Sequence, residues 1–176
     1  LDRPEAGMWV VADGMGGHEA GDFASQLIVE RLASVPPSNE INRYVESVQD
    51  ELWEINRLLT EEAISRGKGT IGSTVVVLLA VGQQYACLWA GDSRAYLLSN
   101  GDFKPISRDH SQVEEYVQQG LMTREEAEKH PAANIITRAV GAVENLVVDV
   151  EFGELVSGDL FLLCSDGLFK EVPEAE

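Results

Sequence analysis

The chain has 176 residues, 44% of them hydrophobic, and a formal charge of −17 from 30 acidic against 13 basic side chains. That length suits one domain with room for a core, and so acidic a surface repels nucleic acid and anionic membrane, which argues against both as partners. The longest apolar stretch, 74–81, is far too short to span a bilayer and no secretory leader pattern is present, so the expectation is a cytoplasmic monomer.

Met8–Ala12 (MWVVA) reads as a short buried strand that stops at Asp13. Gly14, Gly16 and Gly17 follow. Three glycines in four positions would waste entropy in a helix or strand; they mark a turn where backbone comes close to something small. Phe23, Leu27, Ile28 and Leu32 then recur at helical spacing up to Pro36-Pro37. Ser38 or Asn39 is placed to cap a second helix, in which Ile41, Tyr44, Val45, Val48, Leu52, Ile55 and Leu59 step by threes and fours toward Ser65.

From residue 70 the period changes. Segments 73–80, 84–90, 94–99 and 102–106 read as strands divided by Gly82, Gly91-Asp92 and Asn100-Gly101, the last a strong hairpin signal. The run is expected to form an antiparallel meander with Asp92 holding a tight hairpin. Residues 110–130 turn polar and helical, as two short segments broken at Gly120, and strands return at 146–152 and 159–164. Helices first, then antiparallel strands with a helical insertion, argue for α+β layers and against a parallel βαβ fold. Cys87 and Cys164 lie inside apolar runs without a metal-ligand spacing, and read as buried thiols.

Two strand ends look alike: VVADG at Asp13-Gly14 and LLCSDG at Asp166-Gly167. Each puts a carboxylate where a buried strand leaves its sheet. If the two strands are neighbours the carboxylates converge, and converging carboxylates repel unless a cation or proton lies between them. Hard divalent ions such as Mg²⁺ or Mn²⁺ take such oxygen ligands, backbone carbonyls included. The plainer reading, that both Asp-Gly pairs are ordinary turns, stays open. Other phosphate and nucleophile patterns fail on detail. Glu19 breaks GxGxxG, no Lys-Ser or Lys-Thr follows for a P-loop, and no GxSxG elbow is present.

Six motifs now stand in order: Asp13-Gly14-Met15-Gly16-Gly17, Gly72-Ser73-Thr74, Ala90-Gly91-Asp92-Ser93-Arg94-Ala95-Tyr96, Arg108-Asp109-His110-Ser111, Ile136-Thr137-Arg138-Ala139-Val140-Gly141 and Ser165-Asp166-Gly167. Together they closely resemble the bacterial metal-dependent serine/threonine protein phosphatases of the protein phosphatase 2C family. The resemblance implies a four-layer αββα sandwich of two antiparallel sheets flanked by helices. It implies two or three Mg²⁺ or Mn²⁺ ions at one end of the sheets, and hydrolysis of phosphoserine and phosphothreonine in proteins by a metal-activated water. By the same resemblance Asp13 bridges two metals, Gly14 offers its carbonyl, Asp166 binds one of the pair, and Asp109 is the candidate for a third ion. For Asp109 a helix N-cap is the equally available reading. Asp13 and Asp166 are the implied catalytic residues. Residues 110–139 become a flap subdomain beside the cleft, where substrate is chosen, and the implied partners are the phosphoproteins of a Hanks-type serine/threonine kinase.

The chain departs from the family pattern in places. Where eukaryotic members often carry a histidine after the first Asp-Gly, this chain has Met15, which has no proton to give. His18 is the candidate general acid, with a helix-start role as its alternative; His110 and His130 have no assigned role. The family's acidic ligand and phosphate-binding arginine upstream of the first strand, and its closing Asp-Asn carboxylate, have no match here, and Arg3 is not at the matching position. Residues 1–176 are therefore expected to be a single catalytic domain incomplete at both ends, with about half of the protein ligands. A phosphatase-like signalling module that binds a phosphoprotein or regulator without turnover remains the alternative.

Overall fold

The structure is a computed structural model that describes residues 1–67 and 69–172, apart from the side chains of His18 and Glu128. Its central strand is β3 (Gly72–Val81), buried from Gly72 through Leu79. A strand covered on both faces shows a continuous apolar run, not an alternation, which is why STVVVLLAV has no period of two. Val75, Val77 and Leu79 join the core under the helices, while Val76 and Leu78 pack toward the second sheet.

Antiparallel to β3 run β2 (Met8–Met15) on one side and β4 (Gln84–Ala90) on the other. With β1 (Asp2–Arg3) and β7 (Asp149–Glu154) they make a five-stranded sheet in the order β1-β2-β3-β4-β7. The strands β5 (Arg94–Ser99), β6 (Asp102–Pro105) and β8 (Leu160–Cys164) form a second antiparallel sheet, ordered β6-β5-β8. The expected meander is thus divided between two sheets. The free edge of β4 is taken by β7, so the chain at Gly91–Ser93 crosses to the other sheet. Asp92 sits in that crossing and not in a hairpin.

Helices α1 (His18–Ala33) and α2 (Ile41–Ser65) cover the first sheet. On α1 the buried face is Ala20, Ala24, Ile28 and Leu32, with Phe23 and Leu27 only partly buried against it. The approach is close: a Cβ on Gly14 would lie 2.0 Å from the carbonyl oxygen of Gly21. On α2 the predicted stripe is buried throughout. Its N-cap, however, is Glu40, because the Ser38 hydroxyl is engaged within the lead-in turn, accepting from the Glu40 N–H at 3.1 Å.

Two short helices, α3 (Gln112–Gln118) and α4 (Arg124–Glu128), form the insertion between β6 and β7. On the outer face of the second sheet the described residues place α5 (Asp166–Phe169), whose Phe169 ring lies 3.7 Å from the Arg94 guanidinium. Two antiparallel sheets with packed helices are the α+β architecture that the sequence and its resemblance imply. Both cysteines are buried free thiols, and burial pushes Cys87 up to about 12. No helix among the described residues is long and apolar enough to cross a membrane.

One buried polar side chain ties α2 to the far end of the insertion. Asn56 accepts from the Gly141 N–H at 2.7 Å and donates to the Val143 carbonyl at 2.9 Å. Asn56→Ala strands a buried amide and is expected to lower the unfolding free energy by about 2–3 kcal/mol in a urea titration. Asn42→Ala, on the exposed face of the same helix, should change it by less than about 0.5 kcal/mol.

Candidate metal centre

Side chains alternate along a strand. On β2, Met8 and Val10 belong to the core under the helices, and Trp9 and Val11 pack toward the second sheet. Asp13 continues the second set, so its carboxylate enters the space between the sheets at the end of the strand. From the opposite sheet, β8 directs Phe161 and Leu163 into the same space and ends at Ser165-Asp166. The two Asp-Gly motifs therefore converge across the sandwich, from strands that face each other without pairing.

The carboxylates of Asp13 and Asp166 face the same end of that space. The pKa of Asp13 is raised, first by burial and then by the charge of Asp166 and a hydrogen bond with it, while Lys170 and the Ser165 hydroxyl pull it down. Lys170 also forms a short ion pair with Asp166. The backbone of Asp13 is held from β3: its N–H donates to the Thr74 hydroxyl at 3.3 Å, and that hydroxyl lies 2.7 Å from the Ser93 hydroxyl. Thr74 and Ser93 are both buried.

Sequence reasoning missed the part Asp92 plays here. It is buried, and its pKa is pushed up to about 6 by that burial, then by the negative charges of Asp109 and Asp166. It is a third acidic group at this end of the sandwich. Its motif was visible, but burial is not readable from a Gly-Asp-Ser run.

Asp109 is turned to Arg94, which donates to both of its oxygens, at 2.9 and 2.6 Å. The N-cap alternative for Asp109 does not hold: Ser111 caps α3, its hydroxyl accepting from the Glu114 N–H. The next residue, His110, acquires a role. Its Nδ1 accepts from the Gly91 N–H at 3.1 Å, its own N–H donates to the Gly91 carbonyl, and its ring stacks on Trp89. With Nδ1 an acceptor, Nε2 carries the proton toward Asp149 Oδ2 at 3.1 Å, and Arg138 donates to Asp149 Oδ1 at 2.7 Å. Burial lowers the pKa of His110, against the pull of Asp149. Burial acts to raise Asp149, but His110 and Arg138 outweigh it and hold its carboxyl below the usual range. His130 stays local: its Nδ1 accepts from the Ala132 N–H. His18 opens α1, and its side chain lies outside the described residues.

The donors gathered here are hard oxygens, and Asp13 against Asp166 is the kind of pair that a divalent cation relieves. Among the described residues no three acidic, histidine or cysteine side chains form a complete metal site. Asp13 and Asp166 thus suit a divalent ion chemically, as part and not the whole of a ligand set.

Two facing antiparallel sheets, two long helices over the first of them, and carboxylates gathered where two strands end make up a layout shared with known proteins. Residues 2–115 match the model of the family described as Protein phosphatase 2C. The serine/threonine phosphatase stp of Listeria welshimeri is 36% identical over 172 residues, covering 95% of this chain and 68% of that protein. The structure of PppA, a key regulatory component of T6SS in Pseudomonas aeruginosa, superposes with a TM-score of 0.92 at 47% identity, over 99% of this chain and 72% of that one. The catalytic domain of the serine/threonine protein phosphatase PstP in complex with two manganese ions matches with a TM-score of 0.83 at 30% identity, over 96% and 70%. The chain belongs to the protein phosphatase 2C family, and the stp and PstP relatives are serine/threonine phosphatases.

Asp92 makes the fold pH-dependent in a defined direction. An acid whose pKa is raised from 3.8 to about 6 on folding is accommodated best when protonated. Its contribution is fully present below pH 4 and is lost as pH rises through 6, a change of about 3 kcal/mol. Urea unfolding in a chelator should find Asp92→Asn more stable than the parent at pH 7 by up to that amount, with the gap closing toward pH 4.

Proposed function

We propose that this chain is the catalytic core of a phosphatase that uses two divalent ions to hydrolyse phosphoserine and phosphothreonine in proteins. The observation that carries the reading is that two strands facing each other across the sandwich end at Asp13 and Asp166, at the two motifs through which the family resemblance assigns metal ligands. Asp13, the Gly14 carbonyl and Asp166 hold the ions, Mg²⁺ or Mn²⁺. Asp109 serves a third ion where its pairing with Arg94 opens. When bound, the ions lower the pKa of water for attack on phosphorus and offset charge on the phosphoryl oxygens.

The remaining roles fall to the chain itself. Thr74 fixes the backbone of Asp13 so that its carboxylate keeps one orientation. Lys170 offsets the charge of Asp166. His18, at the head of α1, is assigned the proton for the leaving seryl or threonyl oxygen. Residues 110–139 act as the flap beside the cleft, and His110 with Asp149 and Arg138 anchors their two ends to the first sheet. The reading includes a cytoplasmic location and substrates phosphorylated by a Hanks-type kinase.

The test is phosphate release from a phosphothreonine peptide by the natural full-length protein, with Mn²⁺ and with a chelator. Turnover is expected with Mn²⁺ only, and Asp13→Ala or Asp166→Asn should lower kcat/KM by about 100-fold or more. Full activity in Asp13→Ala would overturn the site. A folded parent that binds the peptide without turnover would identify a non-catalytic module.

A further inference from the structure

The insertion and the edge of the first sheet enclose a groove of about 760 Å³, lined in part by Trp89, Arg108, Asp109, Glu114, Arg124 and Glu151. Asp109 is paired with Arg94, and Asp149, at the same edge, with Arg138 and His110. The third pairing is different. Arg108 and Arg124 share one carboxylate, that of Glu114, at 3.9 and 3.4 Å. Both distances exceed the roughly 2.7–2.9 Å of a close charge-assisted bond. The Glu114 side chain is only 9% exposed, whereas those of Arg108 and Arg124 are 67% and 64% exposed.

Two guanidinium groups on one carboxylate leave a positive charge in excess on this rim, in a chain whose net charge is −17. Loosely held and exposed, both are free to turn to an incoming anion, and their planar forks suit carboxylates. Glu151, the lining carboxylate supplied by β7, repels an anion, which leaves the two arginines as the groups that attract it. The groove lies beside the carboxylate cluster: Asp109 lines it, the N–H of the next residue donates to the Gly91 carbonyl, and Gly91 packs on Thr74, which holds the Asp13 N–H.

We propose that this groove receives acidic residues flanking the phosphorylated side chain of protein substrates, with Arg108 and Arg124 as the groups that select them. The proposal rests on the phosphatase reading for its substrate but has its own readout. Two phosphothreonine peptides differing only in flanking Asp/Glu against Asn/Gln are assayed with the natural full-length protein and Mn²⁺, beside p-nitrophenyl phosphate. Binding of the same labelled peptides is followed by fluorescence anisotropy.

The parent should favour the acidic peptide, and added salt should erode the preference. R108Q/R124Q should raise KM for the acidic peptide about five- to tenfold while the neutral peptide and p-nitrophenyl phosphate keep their constants. R108K/R124K, which keeps both charges, should retain the preference, separating charge from lost packing. No preference in the parent, or an equal loss for both peptides in R108Q/R124Q, would overturn the proposal. If p-nitrophenyl phosphate and both peptides go unhydrolysed, the phosphatase reading fails, and anisotropy still decides the groove: acidic-selective binding lost in R108Q/R124Q upholds it, and unselective binding or none rejects it.

Discussion

The contact between Thr74 and Ser93 holds the working end of this molecule together. Thr74 lies in the central strand of one sheet and Ser93 just before the central strand of the other, and their buried hydroxyls are 2.7 Å apart. The Thr74 oxygen also takes the N–H of Asp13, so one small side chain links both sheets and an acidic group of the candidate centre. The link depends on Gly91. A Cβ there would stand 2.6 Å from the Cβ of Thr74, and its φ of +122° strains any other residue. The crossing between the sheets, the seat of Asp13 and the position of Asp92 therefore depend on one another, because the chain can leave β4 for the second sheet only over Thr74.

Much of the fold was legible because its elements carry long, consistent patterns. The stripe on α2 begins on the first residue of a 25-residue helix and leads to its end, although the cap is Glu40 and neither Ser38 nor Asn39. Partition between the sheets was not legible. Gly91-Asp92 and Asn100-Gly101 both look turn-like, the second more strongly, and only the second returns its strand to a neighbour, as Leu98 pairs with Phe103. The first crosses over because β7, some sixty residues later, takes the edge of β4. A two-residue β1 and a four-residue α5 are too short to show any period.

The candidate site divides the same way. Asp13 and Asp166 stood out because an apolar strand ends on each. His110 could not be placed from sequence, since Asp149 is 39 residues away and Arg138 is 28. Only folding the insertion back on the sheet brings them together. The residues 108–111 were conspicuous as a run, but nothing in a run says which side chain turns outward to Arg94 and which turns inward against Trp89.

The large negative charge has a mostly ordinary origin. On α2, Arg57 pairs with Glu54 and Glu61 and Arg66 with Glu62 on solvated faces, where such pairs add little stability. At the candidate centre the acids are few, and each is compensated differently. Asp166 has Lys170, Asp109 has a two-pronged arginine, and Asp92 and Asp13 are shifted toward their protonated forms. Protons and a flexible lysine are compensations that a divalent cation can displace, whereas the fork of Arg94 on Asp109 is held in place by Tyr96 and Phe169. The same end of the sandwich thus joins three yielding carboxylates to a fixed one, and a cation at Asp109 has an arginine fork to open first, whereas one at Asp13 and Asp166 does not.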